Sequence, residues 1–123
     1  MTKVLVVDDD QHIRAMLKLF LERTGYEVEE SRNGNEALRS HRQHPAALML
    51  IDLIMPDKEG LETIREVRRA DPNVKIIAMS GAGHGNYLTA AKLLGANAAI
   101  TKPFSMDEII TIIRSILEAD LQK

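Results

Sequence analysis

The stretch AALMLID, residues 46–52, decides the fold. Six apolar residues run without interruption from Ala46 to Ile51 and then meet a carboxylate, Asp52. A strand with one wet face alternates apolar and polar side chains, whereas a central parallel strand covered on both faces is apolar throughout. Three further runs have the same form. Residues 4–7 precede Asp8, Asp9 and Asp10; residues 76–79 precede Ser80; and residues 98–101 precede Lys102. A fifth, weaker run centres on Val28.

Amphipathic segments separate these runs. Ile13, Met16, Leu17, Phe20 and Leu21 recur at helical spacing before Gly25, a residue suited to end a helix. Asn33-Gly34 opens a short helix through Ala37 and Leu38 that stops before Pro45. Leu61, Ile64, Val67 and Arg68 mark a third helix, closed by Asp71-Pro72. Leu88, Ala91 and Lys92 mark a fourth, with Gly95 as its stop, and Ile109, Ile112, Ile113, Ile116 and Leu117 a fifth. Met106 and Ile110 widen that last stripe, as a partner face or by packing under a neighbouring loop. Strands alternating with helices imply right-handed crossovers. The expected fold is α/β, a five-stranded doubly wound parallel sheet with helices on both faces.

In such a sheet the carboxyl ends of the strands share one edge, where open α/β folds place ligands. Asp8, Asp9, Asp10, Asp52, Ser80 and Lys102 should therefore converge. Two carboxylates ~4 Å apart repel by about 4 kcal/mol at an effective dielectric near 20. A bound cation accounts for such a cluster, and folding does not.

Composition limits the rest. At 123 residues the chain is read as a single domain, residues 1–123. A net charge of −2 without a basic run gives no electrostatic support for direct nucleic-acid binding. The chain has no cysteine, which removes disulfides and thiolate chemistry. No signal peptide is legible, and no apolar stretch approaches membrane-spanning length, so a cytoplasmic protein without membrane insertion is expected.

Oxygen donors alone suit Mg²⁺, which takes one or two carboxylates plus waters and phosphate oxygens. Capping needs only one aspartate, and Asp10 is best placed for it. Lys102 supplies a point charge for a phosphate or carboxylate, unless it is simply a turn lysine aimed by Pro103. Ser80 can donate to an anion or can merely end its strand before a glycine-rich connection, Gly81 to Gly85. His41 and His44 read as a solvated helix end beside Pro45. His12 and His84 flank the site without a role in it.

Taken together, Asp8-Asp9 after the first strand, DLIMP at residues 52–56 with Gly60 beyond, Ser80, and Lys102-Pro103-Phe104 resemble a response-regulator receiver domain of two-component signalling, which has a flavodoxin-like fold. The resemblance runs from Val4 to the last helix. It implies that Asp52 accepts a phosphoryl group from the phosphohistidine of a sensor histidine kinase or phosphotransfer protein. It implies that Asp8, Asp9, Asp52 and the Ile54 backbone carbonyl hold Mg²⁺, that Ser80 and Lys102 contact the phosphate, and that the Lys102–Pro103 peptide is cis. The domain would stand alone and signal to a downstream target protein.

The chain departs from that family at three positions. Ala99 stands where an aromatic residue usually couples to the hydroxyl, so the state should be read through residues 81–87 and the following helix. Ile54 and Ala82 occupy positions that tune the phosphoryl lifetime, and neither can orient a hydrolytic water. Two rival readings remain at this level. One is a haloacid-dehalogenase-type hydrolase with Asp8 as nucleophile and Asp10 as acid/base; the other is a binding module that works without phosphorylation.

Overall fold

The computed structural model describes residues 1–55, 60–81, 83 and 85–121, with residues 120 and 121 described by backbone alone. Strands and helices alternate: β1 Lys3–Val7, α1 Gln11–Thr24, β2 Glu27–Ser31, α2 Gly34–Gln43, β3 Leu48–Asp52, α3 Gly60–Ala70, β4 Lys75–Gly81, α4 Gly85–Leu94, β5 Ala98–Lys102 and α5 Met106–Leu121. The strands form one parallel sheet in the order β2-β1-β3-β4-β5. This is the doubly wound architecture expected from the alternation. No helix among the described residues is long and apolar enough to cross a membrane.

Successive strand residues point to opposite faces, and the two cores follow from that. Val4, Val6, Leu48, Leu50, Ile77 and Met79 pack with Leu17 and Leu21 of α1 and Ile109 and Ile113 of α5. Leu5, Val7, Met49, Ile51, Ile76 and Ala78 pack on the other face with Ala37 of α2, Ile64 and Val67 of α3 and Ala91 of α4. Residues 48–51 of β3 are fully buried, as an uninterrupted apolar strand should be. Burial of each such side chain stabilises by about 1.5–3 kcal/mol, enough to hold the strand end against crowded charge.

The caps fall where the residue types put them. Asp10 caps α1, accepting from the amides of His12 (2.8 Å) and Ile13 (3.4 Å), and Asn33 caps α2 by accepting from Glu36 N at 2.9 Å. Gly25 and Gly95 end α1 and α4 with φ of 109° and 119°, a region glycine enters without strain. Met106 and Ile110 are half-buried and pack against the α1/α5 core.

Two details depart from the sequence expectation, and a third adds to it. The buried stripe of α1 runs through Arg14, Leu17 and Leu21, while Met16 and Phe20 lie on its exposed flank. His41 is not solvated: its Nδ1 accepts from Ala46 N at 3.0 Å and its Nε2 meets Asp71 Oδ2 at 2.8 Å. Pro45 turns the chain back under α2, so the amide entering β3 reaches the ring. His44 is exposed, as expected. Finally, Arg68 gathers the edge of the sheet opposite the strand carboxyl ends. Its guanidinium donates to the carbonyls of Asp71 (3.3 Å), Pro72 (3.0 Å), Val74 (2.6 Å) and Gly95 (2.7 Å) and to Asn97 Oδ1 (3.2 Å).

Candidate functional site

β1 and β3 are neighbours, and the chain leaves them in opposite directions across the sheet, so a crevice opens at their carboxyl ends. Asp8 lies one residue past β1 and is fully buried. Its amide donates to Ser31 O at 3.1 Å and its carbonyl accepts from Arg14 Nη1 at 2.7 Å. Its side chain accepts from Asp10 N (2.9 Å) through Oδ1 and meets Lys102 Nζ (3.1 Å) through Oδ2. Asp52 ends β3 and is also buried, with Oδ1 accepting from Ile54 N at 3.3 Å and Oδ2 3.6 Å from Lys102 Nζ.

Asp9 is exposed, yet a carboxylate oxygen from each of Asp8, Asp9 and Asp52 falls within 4.8 Å of the others. Asp10 is spent on the helix cap, so the three consecutive aspartates divide into two site residues and one cap. The crowding has a titration signature. Burial, then the Asp8 and Asp9 charges, push the Asp52 carboxyl up to about 6, against the pull of Lys102 and the Ile54 amide. All donors are hard oxygens, the set that Mg²⁺ prefers, and a divalent cation would neutralise the charge that holds Asp52 up.

β4 and β5 bring the other two residues to the same edge. Ser80 is the residue after Met79, whose register partner is Asp52. Ser80 is fully buried, and its Oγ is the one buried side-chain polar atom among the described residues without a hydrogen-bond partner. Buried hydroxyls are ordinarily satisfied, so Ser80 has a donor at this edge that could take up an incoming acceptor. Lys102 is the last residue of β5, and the Lys102–Pro103 peptide is cis, as the resemblance implies.

Gly60 opens α3 directly beneath Asp52. A Cβ there would press on the Asp52 carbonyl oxygen and lie 2.5 Å from Leu53 Cα, so only glycine allows the helix this close. Ile54 is exposed at the rim and His12 is exposed on α1. Ala82 and His84 lie outside the described residues. Sequence reasoning passed over Arg14, although an arginine on the stripe shared with Leu17 and Leu21 was a legible sign of a buried role.

The family model for the response regulator receiver domain matches residues 4–114. The chain belongs to that family. It is 34% identical to the chemotaxis protein CheY of Thermotoga maritima, over 93% of this chain and 96% of that protein. Its fold superposes on a CheY-like receiver domain protein from Methanospirillum hungatei with a TM-score of 0.94, at 30% identity, covering 99% of this chain and 98% of that one. It also superposes on the response regulator TrrA of Thermotoga maritima, solved in complex with Mg²⁺-BeF, with a TM-score of 0.85, at 32% identity, covering 94% and 98%. The receiver fold and two-component signalling class follow. Among transcriptional regulators that also match, the chain spans about half the relative's length.

Proposed function

We propose that this receiver accepts a phosphoryl group on Asp52 from a phosphohistidine, with Mg²⁺ held by Asp8, Asp9, Asp52 and the Ile54 backbone carbonyl. The observation that carries the reading is the buried, unpartnered Ser80 Oγ one residue beyond the Asp52–Met79 register pair. A hydroxyl kept dry and unpaired beside a nucleophilic carboxylate suits a phosphoryl oxygen that is present only part of the time.

An Asp52 Oδ attacks phosphorus, the P–O bond forms as the P–N bond to the donor imidazole breaks, and the imidazole takes up a proton as it leaves. The nucleophile is a carboxylate, which attacks in its ionised form and needs no separate base to remove a proton. Mg²⁺ held by Asp8, Asp9 and Asp52 would supply neutralisation of the phosphoryl group's negative charge. Lys102, already between Asp8 and Asp52, shifts from pairing carboxylates to pairing the phosphoryl group. Ser80 donates its hydroxyl to a phosphoryl oxygen, drawing the carboxyl end of β4 and the connection to α4 toward Asp52.

The donor is a sensor histidine kinase or phosphotransfer protein. An apolar groove of about 490 Å³, formed by Ile13, Met16, Lys102, Pro103 and Phe104, adjoins the site and suits an apolar helix that presents the phosphohistidine. The readout is a conformational change recognised by a downstream protein, and residues 1–123 act as one receiver domain. Asp8 is the poorer nucleophile of the two buried carboxylates, being fully enclosed and held more tightly, at 2.9 Å from Asp10 N and 3.1 Å from Lys102 Nζ against 3.3 Å and 3.6 Å for the Asp52 contacts, and Asp10 is engaged as a cap. That argues against the dehalogenase-type assignment.

The test is intact mass and peptide mapping after incubation with a small phosphodonor, with and without Mg²⁺, beside Asp52→Asn. One Mg²⁺-dependent phosphoryl group on Asp52, lost in the variant, is the expected result. Labelling of Asp8, or no labelling of a protein that binds Mg²⁺, would overturn the assignment.

A further inference from the structure

Arg14 is a buried arginine beside the acidic site, and no step of phosphoryl transfer uses it. Its Nη1 donates to the Asp8 backbone carbonyl at 2.7 Å, and its Nε reaches Glu30 Oε1 on β2 at 3.3 Å. The Asp8 backbone faces β2, its amide donating to Ser31 O, and the carbonyl needs such a donor because the β1–β2 pairing ends at Val7 with Ser31, one residue short of Asp8. Without Arg14 it would be a buried acceptor past the end of the ladder. The Asp8–Asp9 peptide is planar, so fixing its carbonyl fixes the plane. The two carboxylates leave the backbone from either end of that plane.

We propose that Arg14 is a positioning residue for the metal-binding carboxylates. By locking the Asp8–Asp9 peptide it aims Asp8 and Asp9 at one ion, and Glu30 on β2 holds the guanidinium in place. The proposal rests on the assignment of Asp8, Asp9 and Asp52 to Mg²⁺. The sign of the effect separates positioning from charge. By charge alone an arginine near the site repels a cation, so its loss would tighten binding. As a support for the ligands its loss weakens binding, by about tenfold or more.

The experiment is titration of Mg²⁺ into the full chain, followed by amide NMR shifts, for wild type, Arg14→Met and Arg14→Lys. Thermal unfolding of each is recorded alongside. Arg14→Met should bind Mg²⁺ about tenfold more weakly. Arg14→Lys keeps the charge, but its single ammonium cannot span the Asp8 carbonyl and Glu30, so it should bind about threefold more weakly. At saturating Mg²⁺, labelling of Asp52 by a small phosphodonor should return to within about twofold of wild type, because the defect lies in assembling the metal site. A folded Arg14→Met with unchanged or tighter affinity overturns the proposal. If that variant does not fold, Arg14→Lys decides, and unchanged affinity overturns it there. Wild type that fails to bind Mg²⁺ overturns the metal assignment itself, and with it the role of Arg14; wild type that binds while the variants match it overturns the role alone.

Discussion

Replacing Asp52 with asparagine should make the metal-free protein more stable, although it removes the residue proposed to carry the function. Burial raises the Asp52 carboxyl from its ordinary 3.8 to about 6, with the Asp8 and Asp9 charges adding to it. At ~1.4 kcal/mol for each tenfold change, the ionised carboxylate costs the folded state at most about 3 kcal/mol at neutral pH. Asparagine keeps an acceptor for the Ile54 amide, and Lys102 keeps Asp8 at 3.1 Å. Allowing for residual structure in the denatured state, the gain should be about 1.5–3 kcal/mol, or roughly 6–12 °C in Tm. The sign with pH is fixed. Between 3.8 and about 6 the folded wild type binds more protons than the unfolded chain, so its stability falls as pH rises through that window. The assay is urea unfolding followed by far-ultraviolet circular dichroism, in chelator, at pH 7.5, 6.0 and 4.0. The variant's advantage should be full at pH 7.5, only slightly reduced at 6.0 and down to about a fifth at 4.0. A variant no more stable than wild type at pH 7.5, or an advantage of the same size at pH 4.0, would refute the reasoning.

Four shorter predictions concern individual residues. Ser80→Ala should leave metal-free stability unchanged or raise it by up to about 1 kcal/mol, since the lost hydroxyl has no partner; beryllofluoride should then shift the amide resonances of α4 less than in wild type, and a stability loss above about 1 kcal/mol would count against an idle donor. Gly60→Ala should destabilise by about 2 kcal/mol or more, because the new methyl meets the backbone of Asp52 and Leu53, and near-wild-type urea unfolding would contradict that contact. Asp71→Asn should cost about 1 kcal/mol at pH 7; the His41 hydrogen bond holds the Asp71 carboxyl below its usual range, so the difference should persist above pH 4 and fade as pH falls through that lowered value. Ile54→Gln adds a water-orienting amide at the exposed rim, and decay of the phosphorylated form, followed by phosphate release, should quicken by roughly threefold or more.

Much of the molecule was legible in the sequence because its signals are local or periodic. An apolar run such as 46–51 has one stable placement, and the parallel sheet then carries its terminal residues to a common edge whatever the helices do between. Asp8, Asp52, Ser80 and Lys102 meet for that reason. Asp10 separated from Asp8 and Asp9 by the same logic, since a cap needs one oxygen at one position. What escaped were contacts made by polar residues inside the fold. His41 looked solvated because Pro45 and Asp71 stand four and thirty positions away and only the tertiary turn brings them together. Arg14 was passed over because, although its place on the Leu17/Leu21 stripe hints at burial, its main partner is a backbone carbonyl, which no residue type announces.

The cluster of carbonyls around Arg68 has a mechanical meaning for α4. That guanidinium pins Gly95, where α4 ends, to the stretch that joins α3 to β4. The other end of α4 starts at Gly85, just past the strand that carries Ser80. Under the proposed phosphorylation the helix would thus be hinged at one end and driven at the other. At 1.5 Å per residue it is about 15 Å long, so a tilt of ~10° about the pinned end carries Gly85 through about 2.5 Å. A hydroxyl that shifts by an ångström or two at the sheet edge therefore has a lever of matching stroke, and the fulcrum is an arginine on the far side of the protein.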